Sequence, residues 1–397
     1  MNCTEPPRNN DSYVHENPEP LPSDYVQLAL HMSFLVLGLP INLAAFVHMA
    51  KLFGTVRSRI YLLYLNLSVS DVMVLIFHSM VRCFWLVTYK WKGGDFLCRL
   101  VKFLESLSFG ISSNVMVCIA LDRLYSLHKP FHAHRLARVT RWLWIAWFIA
   151  TVTSVPQLFL YQVFTPFLNF TQCTVIWKIE IFKSVSNISD PHELKLKNEI
   201  QLKMTFYEIY HVVAVFWVPL CILVVSYALL LKFIEQRQGM SVARSNTNLS
   251  ESPKSSVCEG LRRVSGGSQL ARARSRTIRT TLMLVTIYIG CWLPYNSLSL
   301  WHIINPSSYS QYQDTLYFLN ALVVLNSVLN PFVYGRIQCC ERLKRGGTLA
   351  NTPGQARSVV SNATKNHAVT AKSRSVTFQM ETLNISTSSL GNNNVLV

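Results

Sequence analysis

Long apolar stretches alternate with short polar connections along most of this chain. Seven of them reach about 20 residues, the length that crosses the hydrocarbon core of a bilayer as a helix. Backbone groups cannot stay unpaired in lipid, so each stretch is expected to be helical. The pattern predicts an all-α membrane protein, a bundle of seven membrane-spanning helices. We number the predicted segments one to seven: Val26–Met49, Ile60–Trp85, Leu97–Tyr125, Val139–Tyr161, Tyr207–Phe233, Thr277–Ile304 and Asp314–Tyr334.

The two ends of the chain and one central connection are polar. Residues 1–25 form an acidic, proline-rich tail, 26–345 the membrane domain, and 346–397 a Ser-, Thr- and Asn-rich tail that we predict to be disordered. The central connection, at about 236–271, is rich in Ser, Arg, Gly and Asn and predicts a flexible loop. No cleavable signal peptide is evident, so segment one is expected to act as the targeting signal and to stay in the membrane.

Charge is scarce and unevenly distributed. Only 14% of the residues are charged, and the formal net charge is +17. The excess bases lie in the first, third and fifth connections, whereas the even connections are more balanced. Cytoplasmic loops carry such an excess, so we predict an extracellular N-terminus and a cytoplasmic C-terminus. No basic face is interleaved with stacking aromatics, so nucleic-acid binding is not expected, and the bases suit anionic lipid instead.

Several positions are candidates for covalent modification. Cys339 and Cys340 lie just past segment seven and are candidates for palmitoylation, with two ordinary cysteines as the alternative. Hydroxyl groups of the C-terminal tail are candidates for phosphorylation, with a solvated linker as the alternative. Asn-X-Ser/Thr triplets count as glycosylation candidates only where the topology places them outside. These triplets begin at Asn2, Asn10, Asn169 and Asn187.

Polar side chains inside the apolar segments are costly, so each needs a partner. Asp71 is the one acid deep in segment two. One interpretation is that such side chains satisfy each other and join neighbouring helices. The other is a small hydrated cluster around Asp71 that holds a sodium ion. The cluster would comprise Asn42, Asp71, Ser112, Asn326, Ser327 and Asn330.

Three prolines fall well inside membrane segments and predict kinks. Pro219, Pro294 and Pro331 lie in segments five, six and seven. Proline has no N–H, so the helix loses a hydrogen bond and can bend there. The run Cys291-Trp292-Leu293-Pro294-Tyr295 places a large ring beside one kink, which suits a moving part that couples an outer cavity to an inner opening.

Further motif residues follow one another along the seven segments: Asp71, Cys98, Asp122, Arg123, Trp147, Cys173, Pro219, Tyr227, Cys291, Trp292, Pro294, Asn330, Pro331 and Tyr334. In this order, the motifs closely resemble those of rhodopsin-class G-protein-coupled receptors. The resemblance covers about 26–345 and implies a short cytoplasmic eighth helix after segment seven. It also implies a plasma-membrane receptor with an extracellular ligand, a heterotrimeric G protein, and arrestin and receptor kinases acting on the tail.

The resemblance also implies roles for individual residues. It pairs Cys98 with Cys173 in a disulfide between segment three and the second outer loop. Arg274 occupies a position where many of these receptors keep an acid that restrains Arg123. Because like charges repel, we hypothesise some ligand-independent activity. The implied G-protein switch comprises Asp122, Arg123, Phe131, Tyr227, Pro331 and Tyr334.

The run Cys291-Trp292-Leu293-Pro294-Tyr295, followed by Trp301 and Asn305-Pro306, gives a finer resemblance. It is similar to the gonadotropin-releasing hormone and adipokinetic hormone receptors, with vasopressin and oxytocin receptors nearby. It implies a peptide ligand and favours a Gq-type G protein. That group pairs an acid on segment two with a base on segment three, and here Arg82 and Glu105 exchange the signs. Either they form a mutual ion pair, or Glu105 contacts a donor or cation of the ligand. The predicted ligand site comprises Arg82, Glu105, Gln157, Tyr210, His211, Trp292, Tyr295, Asn296, Trp301 and Asn320.

Other functions fit the sequence less well than a peptide receptor. A small-amine receptor would use Glu105 as its counter-ion, but the long second outer loop and the aromatic and amide side chains of the site argue mildly against it. A transporter would be expected to show an internal repeat, and none is evident. Segment seven has no lysine for a retinal Schiff base. No catalytic or metal-binding constellation is evident, since His128, His132 and His134 have no nearby cysteine or carboxylate.

Overall fold

The computed structural model describes residues 21–128, 135–167, 170–184, 191–247 and 257–335. Within these ranges, seven helices are long and apolar enough to cross a membrane, which confirms the predicted number. The implied eighth helix, the four glycosylation candidates and Cys339 and Cys340 lie outside the described residues. The spans of segments one to seven are Pro22–Val56, Arg59–Thr88, Gly94–Ser126, Leu136–Leu160, Leu194–Gln236, Ile278–Ile304 and Pro306–Gly335.

Several helices continue beyond their apolar stretches. Segment three forms the helix Gly94–His128, and segment five begins at Pro191 and runs to Thr247. Segment six belongs to the helix Val257–Ile304. A helix that is already nucleated extends at little cost, so polar flanking residues join it. The predicted loop at about 236–271 is accordingly helical in its described parts.

Segment three forms the centre of the bundle. In its apolar window 72% of the residues are buried, against 22% to 50% in the other six segments. Ile111 and Val115 have no exposed surface and belong to the main core cluster. A Cβ atom at Gly110 would lie 3.3 Å from the Cβ atom of Ala150, so glycine lets segment four approach closely.

Three segments contain one wide π-helical turn each. These turns are Phe34–Gly38 in segment one, Leu75–Met80 in segment two and Val213–Trp217 in segment five. The first and third end two residues before a proline, Pro40 and Pro219. A proline ring clashes with the carbonyl four residues earlier, and a wider turn relieves that clash.

Carbonyl groups that prolines deprive of a helical partner find other donors. Tyr288 donates its hydroxyl to the Val215 carbonyl, four residues before Pro219, at 3.4 Å. Asn42 donates its side-chain amide to the Ser327 carbonyl, which lies four residues before Pro331, at 3.1 Å. Two of the predicted proline positions are therefore contact points between segments.

The second outer loop forms a β-hairpin that the sequence did not predict. Strands β1 (Tyr161–Phe167) and β2 (Phe170–Val175) are antiparallel, and Val163 pairs with Cys173. A helix at Ile176–Ser184 follows. Cys173 is disulfide-bonded to Cys98 at the outer end of segment three, as the resemblance implied. The hairpin is thus fixed to the central helix.

Candidate functional site

Glu105 lies at the centre of a charged cluster in the outer half of the bundle. Its Oε2 atom accepts a hydrogen bond from Lys102 Nζ at 2.9 Å, and its Oε1 atom lies 2.5 Å from His78 Nδ1. Lys102 Nζ also lies 5.5 Å from the centre of the Tyr161 ring. Both oxygens of the carboxylate therefore already have partners within the protein.

Arg82 has partners of its own. Its Nη2 atom donates to Gln27 Oε1 at 3.0 Å, and its guanidinium lies 4.5 Å from the Trp85 ring and 5.5 Å from the Tyr317 ring. The interpretation of Arg82 and Glu105 as a mutual ion pair is wrong in this structure. His78, one turn closer to the membrane centre than Arg82, contacts the carboxylate instead.

The start of segment one is joined to the outer end of segment two. Tyr89 donates its hydroxyl to Asp24 Oδ2 at 2.8 Å, and Gln27 Nε2 donates to Asp24 Oδ1 at 3.4 Å. Burial, together with the bond to Asp24, raises the pKa of Tyr89. The hydroxyl therefore stays protonated and can donate at physiological pH.

Gln172 attaches the hairpin to segment two. Its Oε1 atom accepts from Trp85 Nε1 at 2.8 Å, and its Nε2 atom donates to the Tyr89 carbonyl at 2.6 Å. The neighbouring Cys173 carries the disulfide to segment three. Strand β2 is therefore held above the bundle by two segments.

Three predicted ligand contacts lie among segments three, four and five. His211 Nε2 lies 3.4 Å from Ser106 Oγ, one residue after Glu105. Gln157 is buried, whereas Tyr210 is 41% exposed and donates to the Thr153 carbonyl at 3.3 Å. The structure therefore brings His211 close to Glu105 and places Tyr210 against segment four.

Predicted contacts on segments six and seven fall into two places. Asn296 is buried and donates its side-chain amide to the Trp292 carbonyl at 2.8 Å. Trp301 lies farther out, with its ring 6.1 Å from that of Tyr309. Asn320 lies in the 3₁₀ turn Tyr317–Ala321, whose first residue faces Arg82.

A column of rings runs inward from the charged cluster. The Phe109 ring lies 5.1 Å from that of His78 and 5.4 Å from that of Trp292. Trp292 in turn lies 5.9 Å from Phe216 and 5.8 Å from Tyr288. The sequence did not single out His78 or Phe109. Phe109 lies one helical turn from the predicted Glu105, on the same face, whereas His78 lies four residues before the predicted Arg82, within the π-helical turn Leu75–Met80.

The rings end at a hydrogen bond between helices. The single hydroxyl proton of Tyr288 has two acceptors within reach, Ser113 Oγ at 3.1 Å and the Val215 carbonyl at 3.4 Å. Tyr288 has no exposed surface. One side chain of segment six thus contacts segments three and five below Trp292.

Asp71 and Asn330 form the centre of the predicted polar cluster. Asn330 Nδ2 lies 3.0 Å and 3.1 Å from the two Asp71 oxygens, and both residues are fully buried. Several buried oxygens of the predicted cluster have no hydrogen-bond partner among the described residues. Oxygen ligands of this kind suit a hard cation or ordered water. They belong to Asn42, Ser112, Asn326 and Asn330.

The predicted inner switch is only partly as expected. Arg123 is 6% exposed, and its Nη1 atom lies 3.9 Å from Asp122 Oδ2. Asp122 Oδ1 instead accepts a hydrogen bond from Arg59 of segment two, which the sequence did not single out. Tyr227 and Tyr334 are buried, and the Tyr334 ring stacks on that of Tyr64.

Phe131 and the side chain of Arg274 lie outside the described residues. The hypothesis of ligand-independent activity that rests on Arg274 therefore stays a prediction.

These features match one family of membrane proteins. A family model for the rhodopsin family of seven-transmembrane receptors matches residues 42–334. The chain belongs to this family. Its members are receptors rather than enzymes, and they are multi-pass proteins of the plasma membrane.

The relatives with known names include neuropeptide-hormone receptors. The G-protein coupled receptor daf-38 of Caenorhabditis elegans is 30% identical, over 82% of this chain and 92% of its own length. The human vasopressin V1b receptor is 28% identical, over 78% of this chain and 72% of its own. The gonadotropin-releasing hormone receptor of Octopus vulgaris is 26% identical, over 77% of this chain and 69% of its own length.

Proposed function

We propose that this receptor binds an extracellular peptide hormone or neuropeptide similar to gonadotropin-releasing hormone. The bound receptor then activates a heterotrimeric G protein, for which the Gq type is favoured. Two of the relatives are named as receptors for peptide hormones. Identities of 26% to 28% support the ligand class rather than one particular peptide.

The observation that carries this proposal is a set of unsatisfied hydrogen-bonding atoms in the outer half of the bundle. Gln157 Oε1, Trp292 Nε1 and Asn296 Oδ1 are buried and have no partner among the described residues. Buried polar atoms are normally hydrogen-bonded, because leaving one unpaired costs about 1–3 kcal/mol. Peptide amides of a ligand offer the donors and acceptors that these atoms lack.

The charged cluster argues against a small amine as the ligand. An amine would need the Glu105 carboxylate as its counter-ion. That carboxylate is already compensated by Lys102 and contacted by His78. An amine would have to displace Lys102 from its ion pair with Glu105, whereas a peptide can use the surrounding amide and aromatic groups without doing so.

Ligand contact is proposed to act through the column of rings. A peptide against Trp292 would shift segment six about Pro294 and open a cleft beside Arg123 for the G protein.

The proposed orientation of the receptor places its N-terminus outside the cell and its C-terminus in the cytoplasm, since basic connections favour the cytoplasmic side. Arrestin and receptor kinases are proposed to act on the C-terminal tail, and a sodium ion to bind at Asp71.

A screen of transfected cells tests the proposal. Amidated neuropeptides and biogenic amines are compared by calcium release, with surface expression measured and with a Gq inhibitor as a control. We expect a peptide response that the inhibitor blocks. Gln157→Leu should weaken the peptide response, whereas Gln313→Leu, which changes an exposed glutamine of segment seven, should not.

Two outcomes would contradict the proposal. A response to an amine that Glu105→Gln abolishes would identify an amine receptor. A peptide response that appears only in cyclic AMP, with calcium unchanged, would reject the Gq assignment while keeping the ligand class.

A further inference from the structure

Arg59 reaches the Asp122-Arg123 pair from the inner end of segment two. It is the first residue of its helix, and only Arg57 and Ser58 separate that helix from segment one. Arg57 has a left-handed backbone with φ of 51°, and Ser58 is extended. So short a connection fixes where the backbone of Arg59 can lie.

The contacts of Arg59 are directed at segment three. Its Nη1 atom donates to Asp122 Oδ1 and, at 2.7 Å, to Ser126 Oγ. Asp122 is fully buried, and the Arg59 side chain is 15% exposed. A positive charge in the first turn of a helix opposes the helix dipole, so the local helix does not favour Arg59. Asp122 supplies the compensating charge.

Arg123 interacts more weakly than Arg59 with the Asp122 carboxylate. Its Nη1 atom is 3.9 Å from Asp122 Oδ2, beyond hydrogen-bonding distance. Asp122 Oδ2 and the Nε and Nη2 atoms of Arg123 are buried without a hydrogen bond among the described residues. Two guanidinium groups therefore compete for one buried carboxylate, and Arg59 has the closer contact.

We propose that Arg59 is a positioning residue that holds Asp122 away from Arg123 and thereby sets the ligand-independent activity of the receptor. While Arg59 engages Asp122, the restraint on Arg123 is weak, and little interaction is lost when Arg123 turns toward a G protein. Without Arg59, the carboxylate pairs fully with Arg123 and the restraint is strong. This inference rests on the proposed coupling to a G protein.

The test measures ligand-independent nucleotide exchange on purified heterotrimers by receptor variants in lipid nanodiscs, at equal amounts of folded receptor. We expect Arg59→Gln to lower the exchange rate by about fivefold, the size of a modest coupling between charged groups. Arg59→Lys, which keeps the charge, should restore most of the rate. Asp122→Asn should raise the rate, because it releases Arg123.

The combination of variants separates a positioning role from a merely structural one. If Arg59 acts through Asp122, the double variant R59Q/D122N should behave like D122N alone. Arg57→Gln is the matched control, because it removes the same charge from an exposed side chain two residues away and should change nothing. If R59Q does not fold, Ser126→Ala replaces it in the test. This variant removes one of the two contacts of Arg59 and should also lower the exchange rate.

Each outcome decides between the two proposals. The role of Arg59 would be overturned if R59Q raised the exchange rate, or if R59Q and R57Q had equal effects on it. In either case D122N would still promote exchange, so the coupling to a G protein would stand. A rate for D122N equal to that of the unchanged receptor would overturn the restraint on Arg123, whereas the absence of exchange on any G protein with every form of the receptor would reject the proposed coupling itself.

Discussion

Tyr288 donates its hydroxyl to the Val215 carbonyl, which lies four residues before Pro219 and so lacks a helical partner. The proline of segment five thus creates the acceptor that a tyrosine of segment six uses. The same hydroxyl lies 3.1 Å from Ser113 Oγ, which is an alternative acceptor for its single proton. Segments three, five and six meet at one buried side chain.

Tyr288→Phe should destabilise the conformation described here. It removes the hydroxyl and leaves both acceptors buried, which costs about 1–3 kcal/mol. We expect the midpoint of thermal unfolding in detergent, monitored by intrinsic fluorescence, to be lower. Ser113→Ala keeps the contact with Val215 and should lower the midpoint less. Equal midpoints for Y288F and the unchanged receptor would show that the hydroxyl contributes nothing.

Charge-reversal variants test whether Lys102 or Arg82 is the ion-pair partner of Glu105. Lys102→Glu and Glu105→Lys should each lower the thermal midpoint, and the double reversal should recover much of the loss, with a coupling of about 1 kcal/mol. Arg82→Glu combined with Glu105→Arg should recover nothing, because these two residues have separate partners. Recovery in the second pair and not in the first would contradict the contacts of this cluster.

Asp71→Asn should abolish the proposed effect of sodium on the receptor. The carboxylate is the only anionic ligand in the proposed set, so its loss removes most of the attraction for a cation. Agonist binding is measured with sodium or an equal concentration of an organic cation. We expect sodium to weaken agonist binding in the unchanged receptor and to have no effect in D71N. A sodium effect that survives in D71N would place the ion elsewhere.

Gln172→Ala should shorten the residence time of the ligand. It removes both hydrogen bonds between β2 and segment two and leaves the disulfide intact. Because these bonds fix β2 to the outer end of segment two, beside the proposed ligand site, we expect faster ligand dissociation, by about tenfold, with a smaller change in association. Thr165→Ala is the control, since among the described residues the exposed Thr165 hydroxyl contacts only the Thr171 hydroxyl, and Thr165 belongs to none of the glycosylation triplets. Equal dissociation rates for Q172A and T165A would reject this role of the hairpin.

The seven segments could be predicted because the bilayer imposes a length and an apolar composition on every span. The disulfide could be predicted because the motif order resembles a known family. The partners of Glu105 and Asp122 could not, since they depend on how far each helix is rotated and shifted along its neighbour. Arg59 illustrates this: its sequence position indicates a basic loop, and only the tight connection after Arg57 directs its side chain to segment three.

The wide turn Leu75–Met80 changes which side of segment two faces the bundle. A π-helical turn holds about one residue more than an α-helical turn, so everything beyond it is rotated by about 100° relative to a regular helix. Counting regular turns outward from Asp71 therefore misplaces Arg82, whereas His78 lies within the turn itself. An insertion or deletion of a single residue there would exchange the set of side chains offered to a ligand and leave the inner half of the helix in place. Ligand preference in this receptor can thus change by a shift in helical phase, without any substitution in the cavity.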